Sequence, residues 1–559
     1  MPIHASWSGK GKGMQTSEKS PPALEAHERP WPNEIEASAP YPAARAPMAK
    51  RGYIPYLLFT LCASLYVLPF MRVLLPGDGD EGLLVYGAVR IVHGQVFARD
   101  FFEVVGPGTF YWLALFFKLF GVTFVATRIC LFVTSLGTGL AMYFLSRRIC
   151  GQYRILPCIL LAGTYFGSSW PAISHHADSN CFALLSVACM TFWQGRPKHG
   201  LLFAAGALAG ATTCFLQPKG ILLLVSIWLW LWMQRKRGAT SLSSLWAVTG
   251  GYISVVGFML VYFWSRHALG DLFYANVVWP SGHYSAVNVV PYAQGIIHYD
   301  WDHFVLAKSG FHWTIVTAAV LITPFLLVAA LPALLPALAA RYRRNTVRPE
   351  IVLYWLCGWA LWLSEIHRKD ICHLVFGSPL LMILFIYYLQ QYRAKVADLA
   401  LQILAISAAC LAGFNLFLAL SARPTATRVG SVALLKSDPV LTLLQSKAAP
   451  GEEIFAYPYC PMYYFLSATT NPTRYGALLY DFNTSSQFEE VVRVLEQRRV
   501  RYVVWNTGFQ KTRKIFFPGM KKVPDDQLIV EPYLESHYKV VWADADTRLM
   551  ERKDHQTAN

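Results

Sequence analysis

The sequence predicts a polytopic α-helical membrane protein with about eleven transmembrane helices and a small C-terminal exoplasmic α/β domain. Three observations carry that prediction. Of 559 residues, 55% are hydrophobic and only 15% charged, against roughly a quarter charged in soluble proteins. Apolar stretches close to the ~20 residues that cross a bilayer recur as far as residue 421. Basic clusters stand at every second junction between those stretches, which is the pattern of the positive-inside bias.

The predicted spans are 53–75, 122–146, 154–171, 179–194, 201–217, 220–234, 245–265, 312–338, 350–366, 372–390 and 398–421. The clusters are Lys50-Arg51, Arg147-Arg148, Arg196-Lys198, Arg235-Lys236-Arg237, Arg341-Arg343-Arg344 and Arg393-Lys395. Together they place residues 1–49 and alternate loops inside, and the first loop and the C-terminus outside. The formal net charge of +16 therefore belongs to loops that face membrane lipids, and nucleic acid is excluded as a partner. Eleven cysteines without a C-x-x-C pair, only Cys460 of them in the C-terminal part, exclude a disulfide framework and a thiolate metal site.

Residues 1–49 hold eight prolines among Ser, Ala, Lys and Glu, and read as a disordered cytoplasmic tail. No apolar h-region follows Met1, so no cleavable signal peptide is expected. Residues 50–421 form the transmembrane domain. Within its first exoplasmic loop, 76–121, the 81–93 segment and "PGTFYWLALFFKLFG" (107–121) read as helices lying at the interface. From 422 to 559 charge and turn residues increase. Asp438-Pro439 reads as a helix cap and first position. Ser486 with Glu489 reads as a capping box, and "EEIFAY", "VRYVVWN" and "YKVVWADA" read as strands. No nucleophile motif or phosphate loop is present there, so a covering or acceptor-docking module is expected.

The groups that carry chemistry gather on the outer face. The first loop holds Asp78, Asp80, Glu81, Asp100 and Glu103, and the second holds "SWPAISHHADSN" (169–180). A turn "QPKG" (217–220), a long loop near 266–310 and "HRKDICH" (367–373) lie on the same side. Charges at a membrane edge are costly and are functional by default. Asp80, at the end of the first span, is placed to act as a general base, with Glu81 as alternate or support. Lys219 stands where it can meet a phosphate as a point charge, unless it merely snorkels. Arg368 and Lys369 are further phosphate candidates. Glu103, His175, His176 and Asp178 suit a divalent cation; otherwise His176 and Asp178 bind substrate hydroxyls or pair with each other. Trp279, His283, Tyr284 and Trp301 suit a sugar platform or an ordinary aromatic belt.

The order of these motifs resembles that of the GT-C glycosyltransferases, in the branch of protein O-mannosyltransferases and the lipid A aminoarabinose transferase. Matching features are a span ending in Asp80-Glu81, then Gly94, Phe97, Asp100 and Phe101, then Glu103, Pro107, Tyr111 and Trp112. Arg128, "HHAD" (175–178), "PKG" (218–220) and "HRKDICHL" follow. The resemblance spans about 54–420 in topology. It implies an inverting transfer of a sugar from a polyprenyl-phosphate donor to a protein, lipid or glycan hydroxyl. One base then suffices, unlike a retaining glycosidase with two close carboxylates. It also implies a bacterial cytoplasmic (inner) membrane location and a metal near Glu103, although this chain has Val104 where that branch has a lysine beside the acid. A glycan polymerase or ligase would look much the same. A lipid-linked solute transporter would show two similar halves, and no half-length repeat is present.

Overall fold

The computed structural model describes residues 71–74, 79–168, 172–195, 197–284, 288–290, 347–391, 419–517 and 523–555, with a few positions between 398 and 417. The predicted tail 1–49, the span 312–338 and Trp301 lie outside the described residues, as do most of the spans 53–75 and 398–421.

The two helices expected within the first loop form as α1 (Gly79–Val92) and α2 (Gly108–Phe120). A bundle follows, made of α3 (Phe124–Ile149), α4 (Leu156–Ser168), α5 (His175–Gly195), α6 (His199–Phe215), α7 (Gln217–Lys236) and α8 (Leu242–Ser265). The short α9 (Leu269–Phe273) runs into two π-helical turns ending at Tyr284. Then come α10 (Pro349–Leu363), α11 (Ile371–Gly377) and α12 (Pro379–Gln391). The single span expected over 372–390 is thus two helices. Pro379 has no N–H to donate and its ring obstructs the preceding turn, so the helix stops and restarts there.

Two described helices, α3 and α8, are each long and apolar enough to cross a bilayer. On α8, Trp246, Phe258 and Trp264 are 67%, 76% and 69% exposed. So wide an apolar face is the kind that lipid or another apolar partner covers. The other face of α8 packs on α6 backbone to backbone. A Cβ on Gly206 would run into the Val248 carbonyl, and one on Gly251 into the Phe203 carbonyl. The run "GALAG" (206–210) is the small-xxx-small pattern that permits such an approach. The helix ends are sorted by chemistry. The Arg348 guanidinium at the start of α10 donates to the Arg148 carbonyl near the end of α3. The opposite ends of α5, α7 and α10 bring together His176, Lys219 and Glu365.

The C-terminal region forms two sheets. In the first, β1 (Val73–Leu74) runs parallel to β3 (Gly430–Leu434), which pairs antiparallel with β2 (Arg423–Thr427). The second has the order β4 (Ile454–Tyr457), β5 (Tyr502–Asn506), β7 (Thr547–Arg552), β6 (Tyr538–Ala543), with only β4 and β5 parallel. Helices α13 (Pro439–Lys447), α14 (Met462–Leu466), α15 (Ser485–Arg498), α16 (Thr507–Phe516) and α17 (Val530–His537) surround them. Asp438 caps α13 as expected, its carboxylate accepting from the Leu441 N–H at 2.9 Å. The capping box of α15 falls two residues earlier than expected, on Thr484 and Gln487. Gln487 Oε1 also takes the Asn483 amide, which draws the helix start forward.

One hydrophobic core joins α1, α2 and the start of α3 to these sheets, and a second fills the bundle. Gly79 and Gly82 let α1 lie against the Tyr459 ring and the start of α14. Tyr86 and Tyr464 stack at 4.7 Å between them. The packing of α1 and α2 therefore runs straight through the composition break near 422.

The α6–α8 contact gives the first expected outcome. Gly206→Leu should lower the unfolding temperature of the detergent-solubilised protein, at a cost of at least about 1–3 kcal/mol. A fluorescence-detected melting curve unchanged from wild type would contradict this packing.

Candidate active site

Two adjacent residues at the start of α1 point in opposite directions, because successive helix positions turn by about 100°. Asp80 is exposed, and its carboxylate accepts the hydroxyl of Tyr459 from the C-terminal region. Glu81 is buried and ion-pairs with the equally buried Arg128 of α3. It also accepts from the Ile173 N–H at 3.0 Å. Arg128 Nη2 donates to the Val73 carbonyl at 2.9 Å. Glu81 is thus placed as a support, one of the two roles that sequence analysis offered it, with Arg128 and the Ile173 N–H holding its carboxylate.

The 93–107 loop is folded back by Arg90, which donates to the Thr473 carbonyl at 3.0 Å and the Asp100 carbonyl at 2.9 Å. This sets the half-buried Glu103 against Gly476 of the C-terminal region. Burial pushes the Glu103 carboxyl up to about 8, Arg90 opposes the shift, and the charge of Asp80 adds to it. The rim therefore holds an exposed carboxylate beside a carboxyl kept protonated at neutral pH, the separation of roles that acid–base sites use.

A second cluster is buried where α5, α7 and α10 meet. Lys219 Nζ lies 2.6 Å from Glu365 Oε1 and donates to Asn180 Oδ1 at 2.9 Å. The Asn180 amide donates in turn to the Phe376 carbonyl. His176 Nδ1 faces Glu365 Oε1 at 3.1 Å. Asp370 caps α11, accepting from the His373 N–H at 3.0 Å, and its Oδ1 meets His373 Nδ1 at 2.7 Å. Arg368 donates to Asp370 Oδ2 at 3.0 Å. Although burial opposes it, His373 and Arg368 hold the Asp370 carboxyl well below its usual range.

The sequence-derived candidates therefore separate. Lys219 and His176 do come together, through Glu365, which went unnoticed as one more acid ending an apolar run. Lys219 has its ammonium paired with Glu365 inside the protein, where the sequence offered a phosphate contact or a snorkelling side chain. Arg368 belongs to the same region, paired with Asp370. Asp178 does not join them: Thr109 and Thr134 donate to its two oxygens at 2.8 and 3.1 Å, tying α2 and α3 to α5. The expected metal set does not assemble either. His175 stacks on His176 with ring centroids 4.0 Å apart, while Glu103 sits at the rim. Among the described residues no ligand triad includes Glu103. Trp279 is fully buried between Phe102 and Phe482 rather than open as a platform. Tyr459, Glu365, Asn180 and His373 are the residues that sequence reasoning did not select. The "HRKDICH" string marked the neighbourhood of His373, and nothing marked Tyr459.

No family model matches the chain, and no curated protein matches it. Solved structures do. The apo-state crystal structure of ArnT from Cupriavidus metallidurans has a TM-score of 0.51 at 13% identity, covering 89% of this chain and 98% of that one. A crystal structure of the same protein bound to undecaprenyl phosphate has a TM-score of 0.49 at 13% identity, covering 90% and 98%. The chain has the fold of the apo-state ArnT structure, in keeping with the fold that the resemblance implied.

Two outcomes follow from the site. Lys219→Met leaves Glu365 charged and buried without its cation, and should cost about 3–5 kcal/mol of stability; a normal melting curve with only a raised donor KM would reverse that assignment. Glu103 keeps a proton that the unfolded chain gives up above its ordinary 4.5. Its contribution is therefore full below about 4.5 and disappears as pH rises toward 8. Melting temperature should fall across that window in wild type and fall less in Glu103→Gln. Parallel pH profiles for the two proteins would show that Glu103 is not held protonated.

Proposed function

We propose that this protein is an inverting glycosyltransferase that moves a sugar from a polyprenyl-phosphate donor to an acceptor hydroxyl on the exoplasmic face. The reading is carried by one observation: within an ArnT-like fold, Asp80 presents an exposed carboxylate at the bundle rim, under the C-terminal region. Asp80 takes the proton of the acceptor hydroxyl as its oxygen attacks the anomeric carbon. The bond from that carbon to the phosphate oxygen breaks on the opposite side, the configuration inverts, and polyprenyl phosphate leaves as the anion. Phosphate is a good leaving group, so the protein's work is to position the two substrates and exclude competing water. Glu103, protonated beside Asp80, donates a hydrogen bond to the sugar or acceptor and adds no second negative charge next to the leaving phosphate.

What supports the donor class is the sequence resemblance, together with the likeness to ArnT, a protein that has been crystallised with undecaprenyl phosphate. The acceptor would enter from the side of Tyr459, whose hydroxyl holds the Asp80 carboxylate while the site waits. That hydroxyl is also a placeholder for the acceptor's own.

Asp80→Asn should abolish release of polyprenyl phosphate from a radiolabelled polyprenyl-phosphate sugar in proteoliposomes. Expression and melting temperature should stay at wild-type values, since Asp80 lies outside the core. Full turnover by the variant would remove Asp80 as the base.

A further inference from the structure

The buried cluster contains more ligating groups than its own hydrogen bonds use. His176, Glu365 and His373 each bring a ligand atom to within 4.8 Å of the other two. They come from three separate places in the chain: the first turn of α5, the segment after α10, and α11. Glu365 Oε2 is fully buried. It lies 2.9 Å from His176 Nδ1 but outside hydrogen-bonding geometry, and no donor reaches it among the described residues. A buried carboxylate oxygen left in that condition costs free energy unless something else binds it.

The imidazoles are also oriented as ligands are. His373 Nδ1 is held by Asp370, which leaves its Nε2 to face a ligand, while His176 Nδ1 itself faces the Glu365 carboxylate. A carboxylate behind a histidine, setting its tautomer and raising its basicity, is the arrangement found around histidine-bound metals. The His176 ring is pinned by stacking on Phe376 at 4.9 Å. The His176 and His373 rings meet edge to face at 4.8 Å. Around them stand the imidazoles of His175 and His367. His373 is the least buried of the three, with its side chain 15% exposed.

We propose that His176, Glu365 and His373 form a binding site for a first-row divalent metal ion, Zn²⁺ above all, separate from the rim carboxylates Asp80 and Glu103. Two imidazoles and one carboxylate are a donor set that such an ion accepts, with a remaining position for water or an anion. The site stands without the glycosyltransfer reading, because its evidence is the donor set alone. Lys219 is its internal competitor: the ammonium occupies the same carboxylate that the ion needs, so cation and lysine divide Glu365 between them.

The test uses the full-length protein without a histidine tag, in detergent, with Zn²⁺ and Co²⁺ as probes. Zn²⁺ should be retained through dialysis at one equivalent per chain, and Co²⁺ should give visible d–d bands that Zn²⁺ abolishes. His373→Gln and His176→Gln should lose both signals. Asp370→Asn should weaken affinity by about 10–100-fold. Glu103→Gln should bind as wild type does. Lys219→Met should bind more tightly, and Zn²⁺ should raise its melting temperature, an effect missing from the Lys219→Met/His373→Gln double variant. Wild-type protein that retains no Zn²⁺, gives no cobalt spectrum and shows no thermal shift would overturn the proposal. Metal loss in Glu103→Gln with retention in His373→Gln would overturn it as well.

Discussion

The site depends on the buried pairing of Glu81 with Arg128. It gathers four pieces of chain that are far apart in sequence: β1, whose Val73 carbonyl Arg128 holds; the first turn of α1; the start of α3; and Ile173 just before α5. Ionised groups without water around them are expensive, and such a pair persists only where every lone pair and N–H has a partner. Here they do, and the geometry is correspondingly inflexible. Because Glu81 faces inward, Asp80 must face outward, and the exposed carboxylate of the rim follows from the buried one beside it.

The same logic, with a different outcome, describes the cluster around Glu365. Lys219, Asn180 and His176 surround one carboxylate at the meeting of three bundle helices. The charges balance less completely, since one oxygen of Glu365 lacks a donor. Where the Glu81 pair is closed, this one has capacity left. Asp178 is a third variant: two threonine hydroxyls satisfy it, and it acts as a bolt between helices. Three acids that look alike as letters in an apolar chain thus have three different physical roles.

Much of the architecture was legible in the sequence because a bilayer reduces the choices. Apolar runs of about 20 residues, ended by basic clusters, read as helices in lipid, since only helices and closed barrels satisfy their own polar groups there and barrel strands are about half that length. The two helices of the first loop, the Asp438 cap and three of the C-terminal strands are where local pattern placed them. The misses have equally local causes. Pro379 divides a run that composition alone reads as continuous. β7 escaped because "TRLMER" carries its pattern only when paired with β5 and β6.

What the sequence determined by itself was the helical membrane fold, the gathering of acids and histidines toward one set of helix ends, and Asp80 as the rim carboxylate. These depend on hydrophobicity and spacing, which are properties of neighbouring residues along the chain. Only the tertiary structure decided which charges meet: Glu81 with Arg128, Lys219 with Glu365, Asp178 with two threonines, Asp80 with Tyr459. Electrostatic and hydrogen-bond energies are set by distances of a few ångströms across the fold, and no pattern of nearby letters contains those distances.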